Sequence, residues 1–255
     1  MMGFFKKIRR RLMGGSRFHQ YLPYALGEIL LIVVGILLAL SINNLQEEWE
    51  SREKERAYLS GLQKEFERNR AKLNELSRVN RSNYESALRL LAMTYDDRAN
   101  PSEEELSTLL YEAFAYDISY SPNNALLNEI LYSGSLRVLS NDELRLQLTN
   151  WSAVLADIRR QEAELRLQRD KVVDLIRNPK YSLRTILEGS GIREALDLPQ
   201  GKITTSNRML LRSGEFENNL LLFILSAQAT EREHYAHLRK VIESILRSIE
   251  KELAR

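Results

Sequence analysis

Cysteine is absent from the 255 residues. That excludes disulfides, thiolate nucleophiles and cysteine-built metal sites, and it fits a bacterial periplasm as well as a cytosol. Proline (5) and glycine (11) are scarce, so helix breakers are few, and abundant Leu, Glu and Arg point to long helices. There is no strand pattern, tandem repeat or low-complexity tract. Nucleophile elbows of the Gly-x-Ser-x-Gly type and Gly-rich phosphate loops are missing too, and Glu188-Gly189-Ser190-Gly191 reads as a turn. Neither an enzymatic activity nor a cofactor is expected. From Asn43 onward the chain has 31 basic and 34 acidic residues and no basic patch, which argues against a nucleic-acid partner.

What the chain does have is one long apolar run, Ala25 to Ile42, broken only by Glu28. As a helix it reaches roughly 27 Å, about the thickness of a bilayer's hydrocarbon core. Lys6, Lys7, Arg9, Arg10, Arg11 and Arg17 precede it without a single acid, and Glu47-Glu48-Trp49-Glu50 follows. The positive-inside rule then puts the N-terminus in the cytoplasm and the rest outside. Ala39-x-Ser41 has the small residues of a signal-peptide cleavage site, but the run exceeds the usual length of such a region, and an uncleaved anchor is expected. Phe4, Phe5, Ile8 and Leu12 share a helix face among the cations, a pattern suited to the anionic lipids of the inner leaflet. Tyr21 and Tyr24 stand where an inner aromatic belt belongs, and Trp49 near the outer one. The division is a basic amphipathic segment (1–20), a transmembrane helix (21–45) and an extracytoplasmic all-α domain (46–255).

Within that domain Leu59, Leu62, Phe66, Leu73, Leu76 and Leu90 keep a three-four spacing, with Asn69, Asn80 and Asn83 on the same seam. Such a repeat predicts coiled-coil-like packing, and seam asparagines fix register. One helix from about Tyr21 to Tyr95 follows, crossing the bilayer and projecting roughly 80 Å beyond it. Its extracytoplasmic part is 46–95. Ser102-Glu103-Glu104-Glu105 is a capping box opening a helix over 102–116. Ser121-Pro122 predicts an N-cap for 122–133, ending at Gly134. Ser140-x-x-Glu143 is a second capping box, for a long helix over 141–177 stopped by Asn178-Pro179. The segment 178–206 is irregular, with a short helix at Leu183–Glu188, and a last helix covers 213–253. The expected fold is all-α: a membrane helix continuing into a long helical bundle, with the two short helices as a distal cap and 180–206 at the membrane-proximal end.

Two blocks resemble a known family. Tyr24-Ala25-Leu26-Gly27-Glu28-Ile29 with Gly35-Ile36-Leu37-Leu38-Ala39-Leu40-x-Ile42-Asn43-Asn44 is similar to the N-terminal signature of a family of single-span membrane proteins common in Bacteroidota. Leu131-Tyr132-Ser133-Gly134-Ser135-Leu136, then Ser140-Asn141-x-Glu143-Leu144-Arg145, resembles its second block. Leu45 stands where that family usually has an aromatic residue. The resemblance implies a bacterial inner-membrane protein with a periplasmic domain and transfers no catalytic residue.

Several residues are candidates for function. Glu28 is an intramembrane acid, and on a helical wheel Gly35 and Ala39 lie about 20° to either side of it. Three roles compete for it: structural positioning near the inner interface, helix association, or ion and proton transfer. Gly27, Gly35 and Ala39 form a small-residue strip that permits close helix packing. In Glu231-Arg232-Glu233-His234-Tyr235-Ala236-His237, the pairs Glu231/His234 and Glu233/His237 each share a helix face, but a di-iron bundle needs a second such motif, and the third histidine is His19. A solvated face with incidental histidines is the reading, with pH sensing by His234 as the alternative. Glu162, Glu164, Arg159 and Arg160 read as another solvated face. The 180–206 segment is long enough to be a binding loop. The function expected is a self-associating periplasmic scaffold, a homo-oligomer with an envelope protein as a further partner. The alternative is an ion- or proton-conducting or proton-coupled assembly using Glu28.

Overall fold

The computed structural model describes residues 18–95, 100–201 and 205–255, with side chains from residue 26 onward. The cations Lys6, Lys7, Arg9, Arg10, Arg11 and Arg17 and the side chains of Tyr21 and Tyr24 lie outside the described residues. Those that are described form helices and turns and no strand. Eight helices follow in order: α1 (Phe18–Tyr95), α2 (Glu103–Phe114), α3 (Ala125–Tyr132), α4 (Asp142–Ile176), α5 (Leu183–Gly189), α6 (Ile192–Ala195), α7 (Gly214–Ala229) and α8 (Ala236–Leu253). Short 3-10 turns cover Ser135–Val138 and Arg208–Arg212, and a π-helical turn, Thr230–Tyr235, joins α7 to α8. The chain divides into two compact units, residues 1–56 and 57–255.

In the first unit α1 carries its apolar side chains in the open: Leu26 to Ile42 are exposed throughout. Past them the surface is polar and held by one-turn contacts. Asn43 Nδ2 donates to Glu47 (2.7 Å), Gln46 to Glu50 (3.0 Å), and Arg52 pairs with Glu48 (2.6 Å). Exposed pairs of this kind contribute a few tenths of a kcal/mol each, about 0.2–0.5.

The second unit is an up-down-up-down bundle, and its legs are matched in length. Residues 57–95 of α1 span about 58 Å and α4 about 52 Å at 1.5 Å per residue. The second leg is broken: α2, an extended link and α3 together run back along α1. Successive contacts mark its course, from Ser86–Glu112 (2.8 Å) through Asn83–Tyr116 (3.2 Å) and Asn69–Asn123 (2.8 Å) to Glu65–Leu126 (2.9 Å). The α7–α8 leg descends beside α1 from Asn80–Ala227 (3.0 Å) and meets the start of α4 at Asn141–Glu252 (2.7 Å). The core between the legs holds Leu62, Phe66, Leu73, Trp151, Phe216, Phe223, Leu238 and Ile245, all essentially inaccessible. Phe66 and Trp151 meet edge-on at 5.1 Å.

This corrects two expectations. The short helices are not a distal cap, because α2 and α3 each have an apolar stripe (Leu106, Leu109, Leu110 and Ala113; Leu127 and Ile130) that is buried against the long helices. A cap would leave most of that stripe uncovered, at about 25 cal/mol per Å² of apolar area. Nor does 178–206 lie at the Ala57 end of the unit. The broken leg reverses the direction of α4, so the segment sits at the Tyr95 end, against α2. There Ser107 Oγ donates to the Thr185 carbonyl (3.2 Å), and a Cβ on Gly189 would come within 2.7 Å of the Ser107 Cβ. Buried Asn207 ties the segment's ends together: its Oδ1 accepts from Ser182 N–H (2.8 Å), its Nδ2 donates to the Ser182 carbonyl (2.9 Å), and its own N–H donates to Glu103 (2.8 Å).

The caps differ in detail. Ser102 caps α2 as expected, accepting from Glu105 N–H (3.0 Å). For α4 the cap is Asn141, accepting from Leu144 N–H (2.9 Å), one residue after Ser140. For α3 it is neither Ser121 nor its neighbours. Asn124 occupies the N-cap position without a local bond, and Glu65 of α1 accepts from Leu126 and Leu127 N–H (2.9 and 3.2 Å). A carboxylate at a helix start is favoured by the same orphan N–H groups and dipole that a local cap would serve.

Candidate functional site

The side-chain amide N–H groups of the α1 seam are engaged within the chain. Asn69, Asn80 and Asn83 are buried, and each reaches the backbone of a neighbouring leg. Asn69 is bonded twice to one residue: its Nδ2 donates to the Asn123 carbonyl and its Oδ1 accepts from Asn123 N–H, both at 2.8 Å. It thereby stands in for the missing helical partners of the extended link. Asn80 Nδ2 donates to the Ala227 carbonyl (3.0 Å) and Asn83 Nδ2 to the Tyr116 carbonyl (3.2 Å). These asparagines therefore join legs of one chain.

A buried polar layer crosses the bundle at Glu162. The residue is 4 % exposed, which corrects its reading as part of a solvated face. Its Oε1 accepts from Tyr120 N–H (2.9 Å) and from the Tyr235 hydroxyl (2.6 Å), while the Tyr120 hydroxyl donates to the Asn69 carbonyl (3.0 Å). One carboxyl oxygen thus joins α4, the extended link and the π-turn. Burial pushes the Glu162 carboxyl above the ordinary glutamate range, and nearby Asp117 adds to this. The bonds from Tyr235 and Tyr120 and the charge of Arg166 oppose it. Arg166 is itself paired with Asp117 (2.7 Å). Burial and the Glu162 charge raise both Tyr235 and Tyr120, which stay protonated donors.

The π-turn is the second part of the site. Its cause lies in the spacing of the inward residues Phe223, Ala227, Glu231 and Tyr235, three four-residue steps in succession. An α-helix would rotate such a series off the bundle face, and the wider π-turn keeps it there. Carbonyls at its entry take side-chain donors: Thr230 Oγ1 on Ser226 (2.8 Å) and Asn80 Nδ2 on Ala227. Glu231 is buried and meets Arg81 at 3.2 Å, so it too leaves the solvated face assigned to it. The Glu231 charge holds the Arg81 guanidinium firmly protonated. Asn80 Oδ1, Ser226 Oγ and Glu231 Oε2, all near this turn, have no protein partner. Buried polar atoms in that state each cost about 1–3 kcal/mol, which makes the turn the least comfortable part of the bundle.

On the outer side of the turn is a shallow cavity of about 250 Å³, bounded by Asp157, Ile158 and Arg160 of α4 and by Glu233, His234 and His237. Arg160 is engaged with Asp157 (2.7 Å). The π-turn separates one of the pairs foreseen in the sequence, since Glu231 turns inward while His234 lines the cavity, whereas Glu233 and His237 both line it. Among the described residues no three His, Asp or Glu side chains are placed to hold a metal ion. Glu164, further along α4, accepts from Gln168 Nε2 (2.6 Å).

Along the first unit Glu28, Gly27, Gly35 and Ala39 are exposed, and a Cβ on Gly27 or Gly35 would meet nothing within 4 Å. Trp49 is exposed as well. The structure therefore unites the seam asparagines with the bundle's polar layer and leaves the membrane-strip residues on a free helix surface. Glu162 carried a signal that residue type obscured. Leu144, Leu148, Trp151, Leu155, Ile158, Glu162, Leu165, Arg169, Val172 and Ile176 form an unbroken three-four series, with Glu162 and Arg169 at core positions. Arg169 Nε uses its place to donate to the Phe114 carbonyl (2.8 Å). Comparison with protein-family models, curated proteins and solved structures finds no match to this chain.

Proposed function

We propose that this chain is a membrane-anchored helical scaffold of the bacterial inner membrane, its basic N-terminus cytoplasmic and its bundle periplasmic. The observation that carries the reading is a contrast between the two units. The bundle buries its own seam, whereas the apolar residues from Leu26 to Ile42, on a helix long and apolar enough to cross a membrane, are exposed among the described residues. Water is a costly neighbour for that surface, at about 25 cal/mol per Å², and lipid tails are not. A closely packed bundle on an anchor suits holding a partner in place better than chemistry, because buried Glu162 and Glu231 are engaged in joining its legs. Self-association, on this reading, runs through the Gly35–Ala39 face of the anchor and not through the bundle seam.

The cysteine-free sequence makes the test clean. Tyr132→Cys, on an exposed turn of the bundle, should react with a membrane-impermeant maleimide in intact spheroplasts, and Lys7→Cys only after permeabilisation. The protein should also resist alkaline carbonate extraction. Release by carbonate, or labelling in the opposite order, would refute the anchor or its orientation.

A further inference from the structure

The segment 177–212 differs from the rest of the bundle in charge. It has seven basic residues against three acidic ones, while the remainder of the chain from Asn43 has 24 against 31. Among its described residues this basic lobe has six cationic side chains against three carboxylates. It also displays apolar side chains: Leu183, Leu196 and Met209 are each more than half exposed, and Leu198 is 38 % exposed. Contacts place these together. Arg184, next to Leu183, donates to the Pro199 carbonyl (2.8 Å), Arg193 donates to the Leu198 carbonyl (3.1 Å), and Asn207, two residues before Met209, binds Ser182. Leu196 and Leu198 flank Asp197, whose left-handed backbone (φ 51°) folds the chain into a tight tip.

Carboxylates offset part of this charge and leave Lys180, Arg184 and Arg212 outside the ion pairs. Glu188 accepts from Gly201 N–H (3.1 Å) and Glu194 pairs with Arg193 (3.1 Å), with Asp197 exposed at the tip. Among the cations, Arg177 is paired with Asp174 (2.5 Å) and Arg208 lies 3.8 Å from Glu103, whereas Lys180 and Arg212 are exposed at the margins.

We propose that this lobe docks on an anionic lipid bilayer, with Leu183, Leu196, Leu198 and Met209 entering the headgroup boundary and Lys180, Arg184 and Arg212 facing the lipid phosphates. Charge complementarity selects an anionic surface. The shape selects lipid over an acidic protein: the leucines stand on short helices and a tip, not in a groove or along a stripe that a partner helix could fill. Leu88, Leu146 and Leu167 are exposed singly on the long helices, and the exposed Leu222 and Leu225 on α7 follow Glu215 and Glu217. This deepens the scaffold reading by naming what the periplasmic unit contacts, and rests on it only in treating the unit as a binding module.

The test uses the full chain in zwitterionic nanodiscs, mixed with separate vesicles of phosphatidylcholine alone or with about one quarter phosphatidylglycerol, and separated by flotation. Wild-type protein should float with the anionic vesicles and lose binding as salt rises. Lys180→Glu/Arg212→Glu should weaken it by at least about 25-fold, from about fivefold per cation, and Leu196→Ser/Leu198→Ser should weaken it at unchanged Tm. Unchanged binding by both variants would overturn the proposal and assign the effect to the N-terminal cations. So would capture of soluble polyglutamate without vesicle binding, which would mark an acidic-protein site. Carbonate extraction reads the anchor independently, so the two failures are distinguishable.

Discussion

Glu162 offers the sharpest test of the bundle's energetics, because charge and hydrogen bonding can be removed separately there. Glu162→Gln keeps an oxygen to accept from Tyr120 N–H and the Tyr235 hydroxyl (2.9 and 2.6 Å) and removes the buried charge. Glu162→Ala removes both, leaving two buried donors unanswered and a cavity beside them. At about 1–3 kcal/mol per stranded donor, the alanine variant should lose about 3–5 kcal/mol. The glutamine variant should match or exceed wild type at neutral pH. The pH dependence follows from the direction of the shift. The folded carboxyl binds its proton more tightly than the unfolded one, because burial disfavours the ionised form. Wild-type stability relative to Glu162→Gln is therefore greatest below the ordinary glutamate range. It falls as pH rises through that range and the raised folded value, then levels off. Chemical denaturation in detergent, read by Trp151 fluorescence in a Trp49→Phe background, measures both effects, since Trp151 is buried in the core and the chain has two tryptophans. A difference between wild type and Glu162→Gln that stays flat with pH, or grows in wild type's favour as pH rises, would refute the reasoning.

Three further outcomes are expected. Asn69→Leu strands both backbone groups of Asn123 and should cost about 2–4 kcal/mol, seen as a lower Tm by circular dichroism; an unchanged Tm would show that the extended link is not held by this side chain. Gly189→Ala drives a methyl against Ser107 and should destabilise by about 1–3 kcal/mol, with partial recovery in Gly189→Ala/Ser107→Gly. Glu28→Gln should leave the native mass of the protein in lipid nanodiscs unchanged in a scaffold, whereas the loss of a measured proton current would favour the conducting assembly.

Much of the architecture was legible in the residues. The three-four spacing of α1 and α4, the breakers at Pro101 and Pro179 and the cap at Ser102 marked the long helices to within a few residues. These signals are local: they depend on rotation per residue and on which backbone groups a nearby side chain reaches. The misplaced features all depend on distant residues. Glu65 caps α3 from another leg, the Asn69 amide supports an extended link, and the reversed course of 178–206 follows from that link. Glu162 and Glu231 looked solvated because a charged residue type is rarely buried, although their spacing put both on an inward face.

The sequence by itself determined an all-α chain, the apolar helix near its N-terminus and the surplus of cations before it, because periodicity, run length and charge are properties of the chain read in order. Only the tertiary structure decided that the seam closes within one molecule, that two carboxylates lie buried between legs, and that a basic lobe forms against α2. Those outcomes turn on which faces meet, and meeting faces are chosen by the total apolar area covered and the polar groups left satisfied, quantities that no single stretch of residues contains.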